Sequence, residues 1–182
     1  LVLSDVERLQ PRLQALQATQ QFEPGWEALS EEFRTVLTAV EQVRTSAALK
    51  TTLLEVLRVG NYLNGTSARG GAYGFKMADL SKLVQVKSAD TKTTLLHFLA
   101  RTLSADGAKT VDDLASELNG LSEAKDVPLA DKRAELAKLA ASLQLAQRQL
   151  EIGQKEGDAM TPLLDEFCEG AQRQLDELKA DA

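Results

Sequence analysis

Four leucines spaced seven residues apart constrain the fold of this chain more than any other feature. They follow Pro128 and stand at Leu129, Leu136, Leu143 and Leu150. A seven-residue apolar repeat lines one face of an α-helix, which then packs against another helix. After Thr161, a second stripe follows at spacings of three and four, at Leu164, Phe167, Ala171, Leu175 and Leu178. We therefore predict two long helices that are antiparallel partners in a bundle.

The first third of the chain has the same helical periodicity, interrupted by breaker residues. Ser4 and Glu7 have the spacing of a capping box, and leucines follow at positions 9, 13 and 16. Glu23-Pro24-Gly25 predicts a turn, because proline and glycine both disfavour a helix interior. Apolar residues then predict a helix from Trp26 to about Thr45, and another over 47–63.

The middle of the chain predicts shorter elements. Phe75, Met77, Leu80 and Leu83 suggest a short helix. Ser88 is the predicted cap of the next helix, which carries Leu95 to Leu103 and stops at Asp106-Gly107. A further helix is predicted from Thr110 to Leu121, closed by Asn119-Gly120.

The composition fits an all-α protein with an aliphatic core. Hydrophobic residues make up 43% of the 182 residues, but aromatic residues only 4%. The four prolines leave room for long uninterrupted helices. We predict an elongated helical bundle with long, antiparallel, coiled-coil-like helices.

Several classes of protein are excluded at this point. No apolar run approaches the roughly 18 residues that mark a membrane span, and the first residues do not form a signal peptide. The one cysteine, Cys168, excludes an internal disulfide and fits a reducing compartment. With one cysteine and one histidine, a dedicated Cys/His zinc site is not available. We predict neither a metal nor a cofactor.

Charge is distributed unevenly along the sequence. Between Lys50 and Arg101 eight basic residues face three acidic ones, which gives +5, whereas the remainder carries −11 and the whole chain −6. A net negative charge argues against nucleic acid as the main partner. The basic middle suits an acidic partner, although a chance fluctuation on a solvated face explains the split equally well.

Patterns that carry catalytic chemistry are missing. The glycine-rich segment 64–74 must be a loop. Gly65 and Gly70 have P-loop spacing, but no lysine and hydroxyl follow them, so phosphate binding is not predicted. His97 has no nucleophile arranged with it and is interpreted as a helix histidine bonded to a neighbour. Cys168 has no adjacent cation to activate its thiol. We predict no catalytic residue and no enzymatic activity.

The segment from about Leu54 to Leu99 resembles the signature of the formin homology 2 domain. The matching elements are, in order, Gly60-Asn61-Tyr62-Leu63-Asn64, the glycine loop, Gly74-Phe75-Lys76-Met77 with Leu80, Lys82 and Leu83, then Lys87-Ser88, and Thr94 to Phe98. Leu63 stands where the family often has Met, an apolar exchange of similar volume. The flanks agree more loosely with the family's helical framework. The resemblance implies a partial domain over 1–182, with a post-like segment at 47–125 and coiled-coil-region helices at 126–182.

The resemblance also implies a role in actin assembly. Formin homology 2 domains form head-to-tail dimers around actin, nucleate filaments and stay on the growing barbed end. The lasso of one subunit wraps the post of the other, and the implied lasso-receiving residues here are Gly60, Asn61, Tyr62, Asn64, Gly74 and Phe75. The family lysine that contacts actin aligns best with Lys87, and Lys82 is the second choice. The implied partners are actin and, in the full-length parent, a second formin subunit, in the cytoplasm on the actin cytoskeleton.

Simpler interpretations stay open for the same residues. Tyr62 could be a core residue, and Asn61 or Asn64 could cap the helix. The alternative function is a helical adaptor that binds other helices through its heptad seams and has no actin-assembly activity. Because the chain begins at Leu1 and is much shorter than the family's full domain, we expect it to lack lasso, linker and knob. Alone, it is expected to be monomeric and poor at nucleation.

Overall fold

The computed structural model of the chain describes residues 8–67, 70–89, 91–105 and 110–181. Regular structure in these ranges is helical, which confirms the predicted all-α class. The helices are α1 (Leu9–Thr45), α2 (Ala47–Asn64), a 3-10 helix (Met77–Ser81), α3 (Lys82–Gln85), α4 (Leu95–Leu103), α5 (Thr110–Glu117), α6 (Leu121–Ala124), α7 (Leu129–Glu156) and α8 (Thr161–Asp181). The predicted capping box at Ser4–Glu7 and the predicted stop at Asp106-Gly107 lie outside the described residues.

The chain divides into two compact units. The first unit contains the part of α1 up to Thr38 and everything from Gly120 onwards, and the second unit runs from Ala39 to Asn119. Within the described ranges, none of the helices has an apolar stretch that could span a lipid bilayer. The second unit holds most of the post-like segment predicted at 47–125, whose assignment stays a prediction.

The first unit is built on the heptad seam. Leu136 and Leu143 are buried as predicted, whereas Leu129 at the start of α7 is 39% exposed. The stripe on α8 is also buried, at Leu164, Ala171, Leu175 and Leu178. The two helices are antiparallel, because Gln147 Nε2 donates to Gln172 Oε1 at 3.1 Å and, nearer the connecting turn, Gly153 lies against Thr161. Gly157 ends α7 in a left-handed conformation with φ of 70°.

The predicted turn at Glu23-Pro24-Gly25 is wrong, because α1 runs through it without a break. Proline removes one backbone hydrogen bond from a helix interior and disfavours the preceding turn. Here Phe22 and Leu29 are both buried in the core on either side of Pro24, and their burial favours one continuous helix. Gly25 has a packing role, since a Cβ atom there would lie 3.3 Å from Leu139 Cδ1 on α7.

The buried face at the start of α1 also differs from the prediction. Leu13, one of the predicted stripe residues, is 54% exposed, whereas Ala15 and Ala18 are buried. Alanines allow neighbouring helices to approach closely, so this face uses small residues where the sequence pattern favoured leucines.

Two predictions about the second unit also need correction. Ser88 does not cap α4. The helix begins at Leu95, and Thr94 is its cap in a capping box with His97, whose Nδ1 accepts from the Thr94 N–H at 3.2 Å. Ser88 instead donates its N–H to the Thr93 carbonyl at 2.9 Å. The helix predicted over 110–121 ends at Glu117, and α6 follows after a turn.

Candidate functional site

Helix α2 organises the candidate site, and its first turn is fixed by a buried polar contact. Ser46 separates α1 from α2 and is only 8% exposed. Its hydroxyl accepts from the Leu49 N–H at 2.9 Å and donates to Glu117 Oε2 at 2.5 Å. The same oxygen of Glu117 accepts from the Ala48 N–H at 3.2 Å. These bonds hold the pKa of Glu117 below its usual range, with the Ser46 hydroxyl as the largest cause.

Two open grooves lie beside α2 in the second unit. The Asn61 groove has a volume of about 600 Å³. It is lined by Val56, Leu57, Gly60, Asn61, Leu63, Asn64, Ala72, Gly74, Phe75, Asp79, Lys82, Leu83, Val86 and Leu95. The Ser46 groove has a volume of about 670 Å³. Its lining comes from residues between Val43 and Leu57 and from Gly74, Phe75 and Met77. Leu57, Gly74 and Phe75 line both grooves, so Phe75 stands at their common edge.

The structure brings most of the predicted site residues to one place. The Asn61 groove contains five of the six predicted lasso-receiving residues and the second-choice lysine, namely Gly60, Asn61, Asn64, Gly74, Phe75 and Lys82. Tyr62 and Lys87 do not line this groove. What binds in the groove remains a prediction.

Two of the predicted site glycines, Gly60 and Gly74, have empty space beside them and do not adopt a backbone conformation that favours glycine. A Cβ atom added to Gly60 or Gly74 would meet nothing within 4 Å, and neither residue has a positive φ. The backbone conformation requires glycine at Gly65 and Gly71, with φ of 51° and 69°. At Gly70 the need is steric, because an added Cβ would lie 1.8 Å from the Gly65 carbonyl oxygen. The space at Gly60 and Gly74 is therefore open to another chain.

The asparagine and tyrosine of the signature have distinct environments. Tyr62 is 84% exposed, which contradicts the core interpretation. The Asn61 side chain does not cap the helix; it bonds Ala72 across the loop, accepting from the Ala72 N–H at 2.8 Å and donating to the Ala72 carbonyl at 2.9 Å. Asn64 is exposed at the last position of α2. Tyr62 and Asn64 are therefore available for contact, whereas Asn61 already has a partner.

The two candidate lysines differ in their ionic partners. Lys82 Nζ lies 2.6 Å from Asp79 Oδ1, and this bond lowers the pKa of Asp79. Lys87 is exposed and forms no ion pair with a residue that the structure describes. Its backbone is fixed by the isolated antiparallel bridge to Thr94. Lys87 thus presents, as far as the described residues are concerned, a charge without an ionic partner on a defined backbone, which is compatible with its choice ahead of Lys82.

Sequence reasoning missed Tyr73. Its side chain is 103% exposed, beside the groove residues Ala72 and Gly74. A large aromatic residue between alanine and glycine, in a segment rich in small residues, was the available signal. Exposed tyrosines are enriched where proteins contact one another.

The residues examined for catalytic chemistry have structural environments. His97 accepts the capping hydrogen bond described above, which confirms its interpretation as a helix histidine bonded to a neighbour. Cys168 is buried, and burial, followed by the nearby Asp165 carboxylate, raises the pKa of its thiol. Across the described ranges, histidine, cysteine and carboxylate side chains form no group of three that could hold a metal ion.

Apolar side chains remain exposed on the second unit. Twelve large ones are at least one-third exposed among its described residues, at Val40, Val43, Leu54, Tyr62, Leu63, Tyr73, Met77, Val84, Val86, Leu96, Phe98 and Val111. Residues 39–119 also carry a net charge of +2, against −8 for the rest of the chain. Exposed apolar residues in this number favour a surface that contacts another protein.

Comparison with known proteins identifies the family. The sequence profile of the Formin Homology 2 Domain matches residues 1–182. Protein diaphanous homolog 3 of Homo sapiens is 34% identical over 83% of the chain and 13% of its own length. A formin-like protein of Drosophila melanogaster is 31% identical over 100% of the chain and 15% of its length. Protein diaphanous homolog 3 of Mus musculus is 42% identical over 63% of the chain and 10% of its length. The chain thus spans a small part of these curated relatives, and its match along all 182 residues shows that it belongs to the formin homology 2 family.

Proposed function

We propose that this chain is an actin-assembly module of a formin, in the cytoplasm on the actin cytoskeleton. In the full-length parent it contributes to filament nucleation and to processive elongation at the barbed end. The observation that carries the proposal is the open Asn61 groove, which gathers residues of the family signature and leaves space above Gly60 and Gly74.

The proposal assigns a different partner to each of two surfaces of the second unit. The Asn61 groove receives the lasso of a second formin subunit, and the exposed Tyr62 contributes to the same contact from outside the groove. Lys87 contacts actin, because an exposed lysine without an ionic partner among the described residues can meet an acidic protein without first losing an ion pair. Lys82 is the second choice, since contact with actin would compete with Asp79 for its ammonium group.

The heptad seam does not favour the adaptor alternative. Leu136 and Leu143 are buried inside the first unit, in one cluster with Phe33, Leu164 and Leu175. A seam that is covered by helices of its own chain offers no apolar stripe to a foreign helix.

The substitution Lys87→Asp in the full-length parent tests the actin contact. We expect slower nucleation of pyrene-labelled actin and weaker barbed-end elongation, with an unchanged melting temperature because Lys87 is exposed. Lys138→Asp is the matched control, as Lys138 is an exposed lysine on α7 in the first unit. Normal assembly by Lys87→Asp would move the assignment to Lys82. Normal assembly by both Lys87→Asp and Lys82→Asp would contradict the proposed actin surface.

Sedimentation velocity tests the oligomeric part of the proposal. We expect the 182 residues alone to sediment as a monomer and the parent as a dimer. A tight dimer of the isolated chain would contradict this part of the proposal.

A further inference from the structure

The Asn61 side chain ties the glycine-rich loop after α2 back onto the helix. Asn61 uses both polar atoms of its amide on the backbone of Ala72, eleven positions later, with bonds of 2.8 Å and 2.9 Å. These two bonds have the pattern of a backbone-to-backbone pair, so an amide side chain is the group that can make both. Aspartate offers only an acceptor when it is ionised, and alanine offers neither atom.

The near end of the loop is fixed by contacts that do not use the Asn61 side chain. The Gly65 N–H donates to the carbonyls of Asn61 and Tyr62 at 3.0 Å and 3.2 Å. The Gly70 N–H donates to the Ser67 carbonyl at 2.9 Å, and Gly70 packs directly on the Gly65 carbonyl. The Asn61 amide therefore acts on the far end, where the chain leaves the loop at Ala72.

The residues that follow Ala72 are the ones that face outward or line the groove. Tyr73 is fully exposed, so side-chain packing does not fix its position. Gly74 and Phe75 form the edge shared by the Asn61 groove and the Ser46 groove. The conformation of this short segment consequently depends on how firmly Ala72 is held.

We propose that Asn61 is a positioning residue that latches Ala72 and thereby holds Tyr73 in place as a contact residue for the partner chain. The Asn61 amide is occupied within its own chain, so its effect on binding passes through the loop. The identity of that partner, the second subunit of the parent, rests on the proposed function; the latch itself is a property of this chain.

Hydrogen exchange in the full-length parent tests the latch. We expect Asn61→Ala to remove the protection of the Ala72 amide and to speed proteolysis within 65–74, while peptides from α7 and α8 keep their protection. Asn64→Ala is the control for this readout, because Asn64 is an exposed asparagine on the same helix whose side chain forms no hydrogen bond with a described residue. Unchanged protection of Ala72 in Asn61→Ala would overturn the latch.

The variant Asn61→Asp gives a signature that a general loss of stability would not produce. Ionised aspartate still accepts from the Ala72 N–H but repels the Ala72 carbonyl, so protection should be intermediate at neutral pH. Protection should recover as the pH falls through about 3.9, where protonation restores a donor. An Asp variant with pH-independent protection would contradict the two-bond latch.

A double-mutant cycle tests whether the latch acts through Tyr73. We expect Asn61→Ala and Tyr73→Ala each to weaken dimerisation of the parent about tenfold, and the double variant to be no weaker than Tyr73→Ala alone. Additive losses, or wild-type dimerisation of Asn61→Ala with an open loop, would overturn this role.

If Tyr62→Ala, Tyr73→Ala and Lys87→Asp all left dimerisation and actin assembly intact, the proposed function would fail while the exchange result on the latch still stood.

Discussion

The two units of this molecule bury apolar surface to very different extents. Among the described residues, thirteen buried residues form one core cluster in the first unit, whereas the second unit has four buried apolar residues, Ala39, Ala48, Val56 and Leu99. The exposed large apolar residues show the reverse distribution, with six in the first unit and twelve in the second. The described residues of the first unit thus bury more of their large apolar side chains, and those of the second leave more of theirs exposed.

The polar contacts of the two units also differ in what they hold together. In the first unit, Lys132 on α7 lies 3.0 Å from Glu32 on α1, and Arg12 on α1 lies 2.7 Å from Asp158 in the turn between α7 and α8, so charged groups join separate elements of the unit. In the second unit, the Glu117 side chain fixes the backbone in the first turn of α2, and the Asn61 side chain fixes the backbone of the loop that follows α2. The polar contacts of the second unit therefore determine the shape of an open surface rather than closing it.

The largest expected effect is a core truncation in the first unit. Leu143 is 1% exposed, and Leu143→Ala should lower the free energy of unfolding by about 2–5 kcal/mol through lost burial and a residual cavity. Leu54 lines the Ser46 groove and is 54% exposed, so Leu54→Ala should cost about 0.5 kcal/mol or less. Urea unfolding followed by circular dichroism measures both values. Equal losses would show that the second unit depends on its apolar residues for its own stability.

The self-contained unit was the one that sequence patterns predicted best. The stripes on α7 and α8 appear in the sequence because each buried residue packs against a helix at a regular spacing. The same reasoning failed at Pro24, where a local breaker signal opposed burial of Phe22 and Leu29. At Pro24 the favourable free energy of tertiary packing exceeded the local preference against a helix. The periodicity of apolar residues gives neither quantity, so it cannot predict which is larger.

The candidate site was predictable only in part, for a different reason. The family signature identified Gly60, Asn61 and Phe75, and the structure places all three on one groove. The bond between Asn61 and Ala72 depends on how an eleven-residue loop folds back, which no spacing rule specifies. A similar reason explains why Ser88 was the predicted cap of α4 and Thr94 is the observed one. Both residues carry a hydroxyl that suits a helix cap, and the conformation of the loop decides which of them caps the helix.

A smaller effect is expected for Glu117→Gln, and it should depend on pH. Because the folded-state pKa of Glu117 is lowered, the ionised carboxylate stabilises the fold above its unfolded pKa of about 4.3. That contribution is lost as the pH falls through the folded-state pKa. The wild-type chain should therefore be more stable than Glu117→Gln at neutral pH, and the difference should narrow on acidification.

Urea midpoints at a series of pH values measure this difference. Glu27→Gln is the matched control, because Glu27 is an exposed glutamate on α1 with no hydrogen bond to a described residue. The stability difference for the control should stay small at every pH. A constant difference for Glu117→Gln would mean that shape, rather than the charge on the carboxylate, fixes the first turn of α2.

The last expected effect on stability has the opposite sign and separates folding from binding. Gly60 lies inside α2, and an added methyl group would meet nothing within 4 Å, so Gly60→Ala should raise the free energy of unfolding by about 0.5–1 kcal/mol. Gly170 in α8 has the same open space, and Gly170→Ala should stabilise the first unit similarly. In the full-length parent only the Gly60 variant should weaken dimerisation, because its methyl group enters space that the partner chain needs. If both variants dimerised normally, the space above Gly60 would have no role in binding, and the second unit would differ from the first only in how little it buries.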